Sequence, residues 1–168
     1  MQLFVDATPL YNLGQIGDLD LLGTLDGELV IPAAVVDETT VEPAATNLAR
    51  FLEEHEIGTE PAVGDWLDDA TALLDADSPD SDVYIVAGLL AARDREQPAA
   101  LVSDDRRLRA VADGLGATVT GTFGIVVQAS ADDKYFSTSQ AKRVIRRTDH
   151  HGLQMTGRLR ERAIGEVD

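Results

Sequence analysis

Residues 2–14 read QLFVDATPLYNLG, and the fold class turns on how this stretch is divided. Leu3, Phe4 and Val5 form an unbroken apolar run. That suits a strand covered on both faces, as in a parallel sheet, better than one with an apolar and a polar side. Asp6 ends the run, and Thr8 and Pro9 can cap and start a helix behind it. A strand feeding directly into a helix is a βα unit, with Asp6 at the carboxyl end of the strand. A carboxylate there is costly without ligands. Its competing role is that of a helix N-cap, although Thr8 could serve instead.

The same alternation continues outward from this unit. Gly27 precedes a strand over Glu28–Ile31, stopped by Pro32, and Ala33–Thr40 reads as a helix start. Ala45–His55 carries Leu48, Phe51 and Leu52 on one helical face, and Ile57–Glu60 reads as a weak strand. After a helix over Trp66–Leu74, Ser78 as N-cap and Pro79 at the first helical position predict a helix running to about Arg93. Ala99–Val102 and Ala117–Thr120 are strands separated by a helix over Asp105–Leu115, and Gly121–Ala129 begins another helix. The expectation is an α/β, three-layer fold with a central parallel sheet of about five strands flanked by helices. Residues 1–130 would form the domain. Residues 131–168 would form a basic helical C-terminal extension packed on it, with helices over Ser137–Asp149 and Thr156–Ile164 across a turn near Gly152.

Composition removes several classes of function. The 168 residues suffice for one domain with a sizeable core. With no cysteine there is no disulfide framework, thiolate nucleophile or thiolate zinc site, which favours an intracellular address. His150 and His151 are adjacent, a spacing that fits no helical ligand pair or zinc motif. The first residues lack the basic segment of a signal peptide, and no apolar run approaches the roughly 18 residues of a spanning helix, so the expected location is cytoplasmic.

The formal charge is -16, from 30 acidic and 14 basic residues, an awkward balance for a protein that would grip a polyanion. Its distribution is uneven. Arg50 is the only Arg or Lys before Arg93, whereas Lys134–Arg162 holds Lys134, Lys142, Arg143, Arg146, Arg147, Arg158, Arg160 and Arg162. Such an acidic surface with only two lysines resembles that of proteins from salt-accumulating halophiles.

Ligands of open parallel sheets bind outside the carboxyl ends of the strands, and four groups of acids fall there. Asp6 ends the first strand. Glu38 shares a helical face with Ala34 and Val35, which would leave its neighbour Asp37 solvated. Asp82 shares a face with Ile85, Val86 and Leu89, while Asp80 fits a dipole role in the first turn and stays open as an outer ligand. Asp104 and Asp105 follow the strand AALV and Ser103, which could itself be the N-cap, and Arg106, Arg107 and Arg109 could form local ion pairs with them. Hard cations such as Mg²⁺ take oxygen ligands and keep several waters, so two to four carboxylates around a cleft suit divalent-metal phosphate chemistry.

Taken in order, these motifs resemble the PIN-domain family and especially its prokaryotic toxin-like branch, the VapC ribonucleases. FVDATPLYNLG looks like the family's opening strand and first acid, VIPAAVVDE like the stretch with the second, and DSDVYIVAGLLA like the helix with the third. LVSDDRRLRAVADGLGATVTGTFGIV looks like the fourth-acid strand, helix and final strand. The resemblance covers roughly residues 1–129, and the tail looks like the helical extension of a family subgroup of unassigned function. It implies that Asp6, Glu38, Asp82 and Asp105 are catalytic metal-binding acids for Mg²⁺ or Mn²⁺, with Asp80 and Asp104 as outer ligands. Thr8 and Ser103 would support them, Ser103 standing where the family commonly has Thr. It also implies an RNA substrate, frequent homodimers and toxin activity restrained by an antitoxin protein.

Arg106, Arg107, Arg143, Arg146 and Arg147 are candidates for phosphate contacts, and the last three could equally pair with the acidic body or a second subunit. Two other phosphoryl-transfer readings fail on single residues. A haloacid-dehalogenase-type enzyme would want Asp where Thr8 stands, and a response-regulator receiver needs a lysine on a late strand. A zinc-ribbon nuclease lacks its cysteines. Two alternatives stand beside the toxin reading: an RNA-processing nuclease that is not a toxin, and a non-catalytic RNA- or protein-binding module.

Overall fold

The computed structural model describes residues 1–131 and 142–147. Four parallel strands, β1 (Gln2–Val5), β2 (Glu28–Val30), β3 (Ala99–Val102) and β4 (Thr118–Thr120), lie in the order β2-β1-β3-β4. In β1 and β3 the last three residues are buried, as expected of central strands covered on both faces. The chain goes from β1 to β2 on one side and later to β3 on the other. The boundary between β1 and β3 is therefore the switch point where an open α/β sheet leaves a crevice at its carboxyl edge.

The expected fifth strand, Ile57–Glu60, shrinks to a single bridge between Gly58 and Val30, fixed by backbone hydrogen bonds on both sides of Gly58. A glycine at the pairing position weakens a strand, and beyond it the Thr59 carbonyl accepts the Ala33 N–H.

The helices are α1 (Ala7–Ile16), α2 (Ala33–Glu38), α3 (Ala44–Glu54), α4 (Leu67–Leu74), α5 (Ser81–Asp94), α6 (Arg106–Gly114) and α7 (Thr122–Ala131). Short 3₁₀ turns cover Leu19–Thr24 and Gly64–Trp66, and residues 142–147 are helical, with Val144 and Ile145 buried. The remainder of the predicted basic extension, including Thr156–Ile164, His150 and His151, lies outside the described residues.

Three helix starts differ from expectation, each time in favour of an aspartate. Asp6, not Thr8, caps α1, accepting the Ala7 N–H at 2.6 Å. Asp80, not Ser78, caps α5: its carboxylate accepts the Val83 N–H at 3.0 Å, and Ser78 and Pro79 precede the helix. Asp105, not Ser103, caps α6 by accepting the Leu108 N–H at 2.7 Å. A short ionised acceptor at the positive end of a helix satisfies an orphan donor and the dipole together, which a hydroxyl does less well.

The long helix α5 crosses β1 at Gly88, where an added Cβ would stand 2.3 Å from the Phe4 ring. Close approach at this point sets the amino end of α5 against the carboxyl end of β1. No helix among the described residues is long and apolar enough to cross a membrane.

Candidate active site

The carboxyl edge of the sheet collects the amino ends of α1, α5, α6 and α7, each helix running back down from its strand or loop. Asp6 is its centre. The residue is 5% exposed; one carboxylate oxygen accepts the Ala7 N–H and the other accepts the Ser103 hydroxyl at 2.7 Å. Burial raises its pKa, the bonds from Ser103 and Ala7 oppose that, and the charges of Asp105 and Asp104 raise it further.

Ser103 is fully buried and joins two acids: its oxygen donates to Asp6 and accepts the Asp105 N–H at 3.0 Å. The hydroxyl expected to cap α6 instead spans β1 and β3 at the switch point. Asp105 itself is exposed beyond this link.

Asp82, in the first turn of α5, is half-buried, and its pKa is pushed up to about 6. Burial contributes most, followed by the like charges of Asp6, Asp80, Asp105 and Glu38. Asp6, Glu38, Asp80 and Asp105, from separate elements, thus stand near enough to Asp82 for their charges to act on it.

Glu38 arrives differently from expectation. It ends α2 and is exposed, not buried, because the six-residue helix stops there. Asp37, also exposed, lines another cavity with Pro32, Glu60 and Tyr84. Thr8 is exposed and lines a cavity shared with Glu38.

Asp104 is held by the fold. Its carboxylate accepts Asn12 Nδ2 at 3.1 Å, the Thr122 N–H at 2.9 Å and the Thr122 hydroxyl at 2.6 Å. Gly121 makes room for it, since a Cβ there would lie 2.6 Å from the Asp104 oxygen. Asn12 and Thr122, both buried, went unnoticed in the sequence. The signal for Asn12 was an amide among Pro9, Leu10 and Leu13 on the buried face of α1, where a polar group requires a partner.

Among the described residues no basic side chain forms an ion pair with these acids; His55 contacts Asp20 at 3.5 Å, away from them. Arg107 donates to the Leu74 carbonyl at the end of α4 instead of pairing with Asp104 or Asp105, and Arg106 is exposed. Arg143, Arg146 and Arg147 are exposed, and the charges of Arg147 and Arg143 act on Asp18, whose pKa burial nonetheless raises. Asp18 follows α1, whose ten residues, about 15 Å long, separate it from Asp6.

The donor set fits a hard divalent cation: all oxygen, several negative charges, and no competing cation among the described residues. Among those residues no three acids already stand in a closed ligand cage.

A parallel sheet with acids gathered at the switch point from β1, α2, α5 and β3 defines a PIN-type domain. Over residues 2–168 the chain matches the DUF3368 family model, described as a PIN domain, and it belongs to that family. No curated protein matches it. PIN domains are in general metal-dependent nucleases, which indicates a nuclease-type function.

Proposed function

We propose that the chain is a divalent-metal-dependent endoribonuclease, with Asp6, Glu38, Asp82 and Asp105 as the metal-binding and catalytic acids. The observation that carries this is the charge gathered around Asp82: four other carboxylates act on it, and no basic group among the described residues pairs with them. Such a cluster is unfavourable in isolation and is relieved by a cation.

Mg²⁺ or Mn²⁺, when bound, would supply charge for a phosphodiester and lower the pKa of a water molecule. The chain's own residues do the rest. Ser103 holds Asp6 and the backbone of Asp105 in fixed relation across the two central strands. The amino ends of α1 and α6 offset part of the charge on their capping acids. Asp80, which caps α5, would serve as an outer ligand, whereas Asp104 is engaged by Asn12 and Thr122 and serves the fold.

The toxin role, an antitoxin partner, a homodimer, a cytoplasmic location and a high-salt host belong to the same proposal. They are supported by the sequence resemblance and the acidic surface. One observation favours a non-catalytic binding module instead: Asp6 and Asp105 both have capping roles that would retain them without chemistry.

Cleavage of a structured RNA panel separates the two readings. Folded wild-type protein in high salt with Mg²⁺ or Mn²⁺ is expected to cleave, and Asp6→Asn or chelator to abolish it. Absence of cleavage together with absence of any metal-induced rise in melting temperature would leave only the binding module.

A further inference from the structure

We propose that the cavity of about 180 Å³ beside Glu38 receives a nucleobase adjoining the scissile bond, with the Tyr11 ring as its stacking surface. This rests on the ribonuclease reading above. Ala7, Thr8 and Tyr11 lie on one face of α1, immediately after Asp6. Glu38, Thr40 and Val41 close the other side, at and beyond the end of α2. The cavity therefore shares one wall, Glu38, with the acid cleft, and begins next to the residue at the cleft's centre.

A phosphodiester held by the acids through a cation carries its own nucleoside next to it. That nucleoside needs an apolar surface for its base and hydroxyls for its edges. Tyr11 is half-buried, and its hydroxyl makes no hydrogen bond to the described residues. Val41 is 53% exposed, and Thr8 and Thr40 are exposed hydroxyls. Apart from Glu38 the walls carry no charge. The cavity on the other side of α2 also has an aromatic wall, Tyr84, but Asp37 and Glu60 line it and would repel a phosphate backbone. Unpaired bases stack on aromatic side chains without needing a particular sequence.

The test uses the full-length protein and a single-stranded RNA oligonucleotide whose cleavage position has been mapped. KM and kcat are measured for intact RNA and for versions abasic on either side of that position. Wild type is expected to show a KM about tenfold higher for one abasic version. Tyr11→Leu should raise KM for intact RNA by about the same factor and erase the abasic difference, with kcat within about twofold; Tyr11→Phe, which keeps the ring, should restore both. Circular dichroism melting confirms that each variant is folded.

Unchanged KM and retained abasic discrimination in folded Tyr11→Leu would overturn the subsite while leaving the ribonuclease reading intact. A changed elution volume of Tyr11→Leu with unchanged KM would reassign the cavity to an interface between protein chains. Should Tyr11→Leu not fold, equal KM values of wild type for intact and both abasic RNAs would overturn the proposal. No cleavage of any RNA by folded wild type removes both readings together.

Discussion

Replacing Asp82 by Asn should make the metal-free protein more stable, a result opposite to the usual effect of mutating a half-buried residue. The Asp82 pKa rises from 3.8 to about 6 in the fold, because of burial and the charges of Asp6, Asp80, Asp105 and Glu38. At about 1.4 kcal/mol per tenfold change in proton affinity, the ionised form is disfavoured by about 3 kcal/mol before solvent screening. Partial exposure reduces this to about 1.5 kcal/mol. The favourable placement of a carboxylate in the first turn of α5, about 0.5 kcal/mol, is lost in the variant. A net gain of about 1 kcal/mol remains, or a melting temperature higher by roughly 2–4 °C for a chain of this size. The sign depends on pH. A raised carboxyl pKa means that the folded protein binds the proton more tightly, so wild-type stability falls as pH rises from about 4 through 6 and levels above that. The two proteins should therefore melt together near pH 4, where Asp82 is neutral in the fold, and separate by pH 7.5. Thermal unfolding by circular dichroism in chelator at low salt reads both points. Mg²⁺ should reverse the order at pH 7.5 by stabilising wild type alone. An Asp82→Asn protein less stable than wild type at pH 7.5 in chelator would refute the claim that like charges converge on this position.

Other perturbations separate the acids of the cleft from the residues that hold it. Ser103→Ala removes the hydroxyl between Asp6 and the Asp105 N–H and should lower stability by about 1–3 kcal/mol in urea unfolding, while Ser103→Thr retains most of it. Asp104→Ala leaves Asn12 and Thr122 without their partner and should destabilise by about 2–4 kcal/mol yet preserve the Mg²⁺-induced rise in melting temperature, which Asp105→Asn should lose. Gly88→Ala drives a methyl group into the Phe4 ring and should cost about 1–3 kcal/mol or more, read as a lower urea midpoint at unchanged slope. Mg²⁺ at about 100 times its dissociation constant should stabilise wild type by about 2.7 kcal/mol in a calorimetric scan, and Asp6→Asn should show no such response.

The boundaries of apolar runs are local facts, and so the parts of the fold that depend on them were legible in the sequence. Val5 next to Asp6 and Val102 next to Ser103 mark the carboxyl ends of the two central strands, and the structure places both where expected. Partners distant in sequence were not legible. Asn12 and Asp104 are 92 positions apart, and no periodicity in α1 says which group an inward-facing amide will meet. The weak strand at Ile57–Glu60 failed for a local reason, the glycine at its only bridge.

The doubled acids show how charge and architecture divide the work at one edge of the sheet. In each pair, one member is spent on structure or faces away: Asp104 binds Asn12 and Thr122, Asp80 caps α5, and Asp37 lines the neighbouring cavity. The other member, Asp105, Asp82 or Glu38, adds its charge to a cleft that already contains Asp6, or in the case of Asp82 receives that charge most strongly. Helical spacing favours Glu38 over Asp37 and Asp82 over Asp80, but it cannot divide Asp104 from Asp105, which precede α6 rather than lie on it. What sorts them is where each helix begins and stops. Asp80 precedes Ser81 and is drawn into capping, while Asp82, two residues further on in the first turn, feels the charges of the other carboxylates. A shift of the α5 start to Ser78 would have reversed these roles, so the capping choice at the amino end of one helix fixes which acid is available to the cleft.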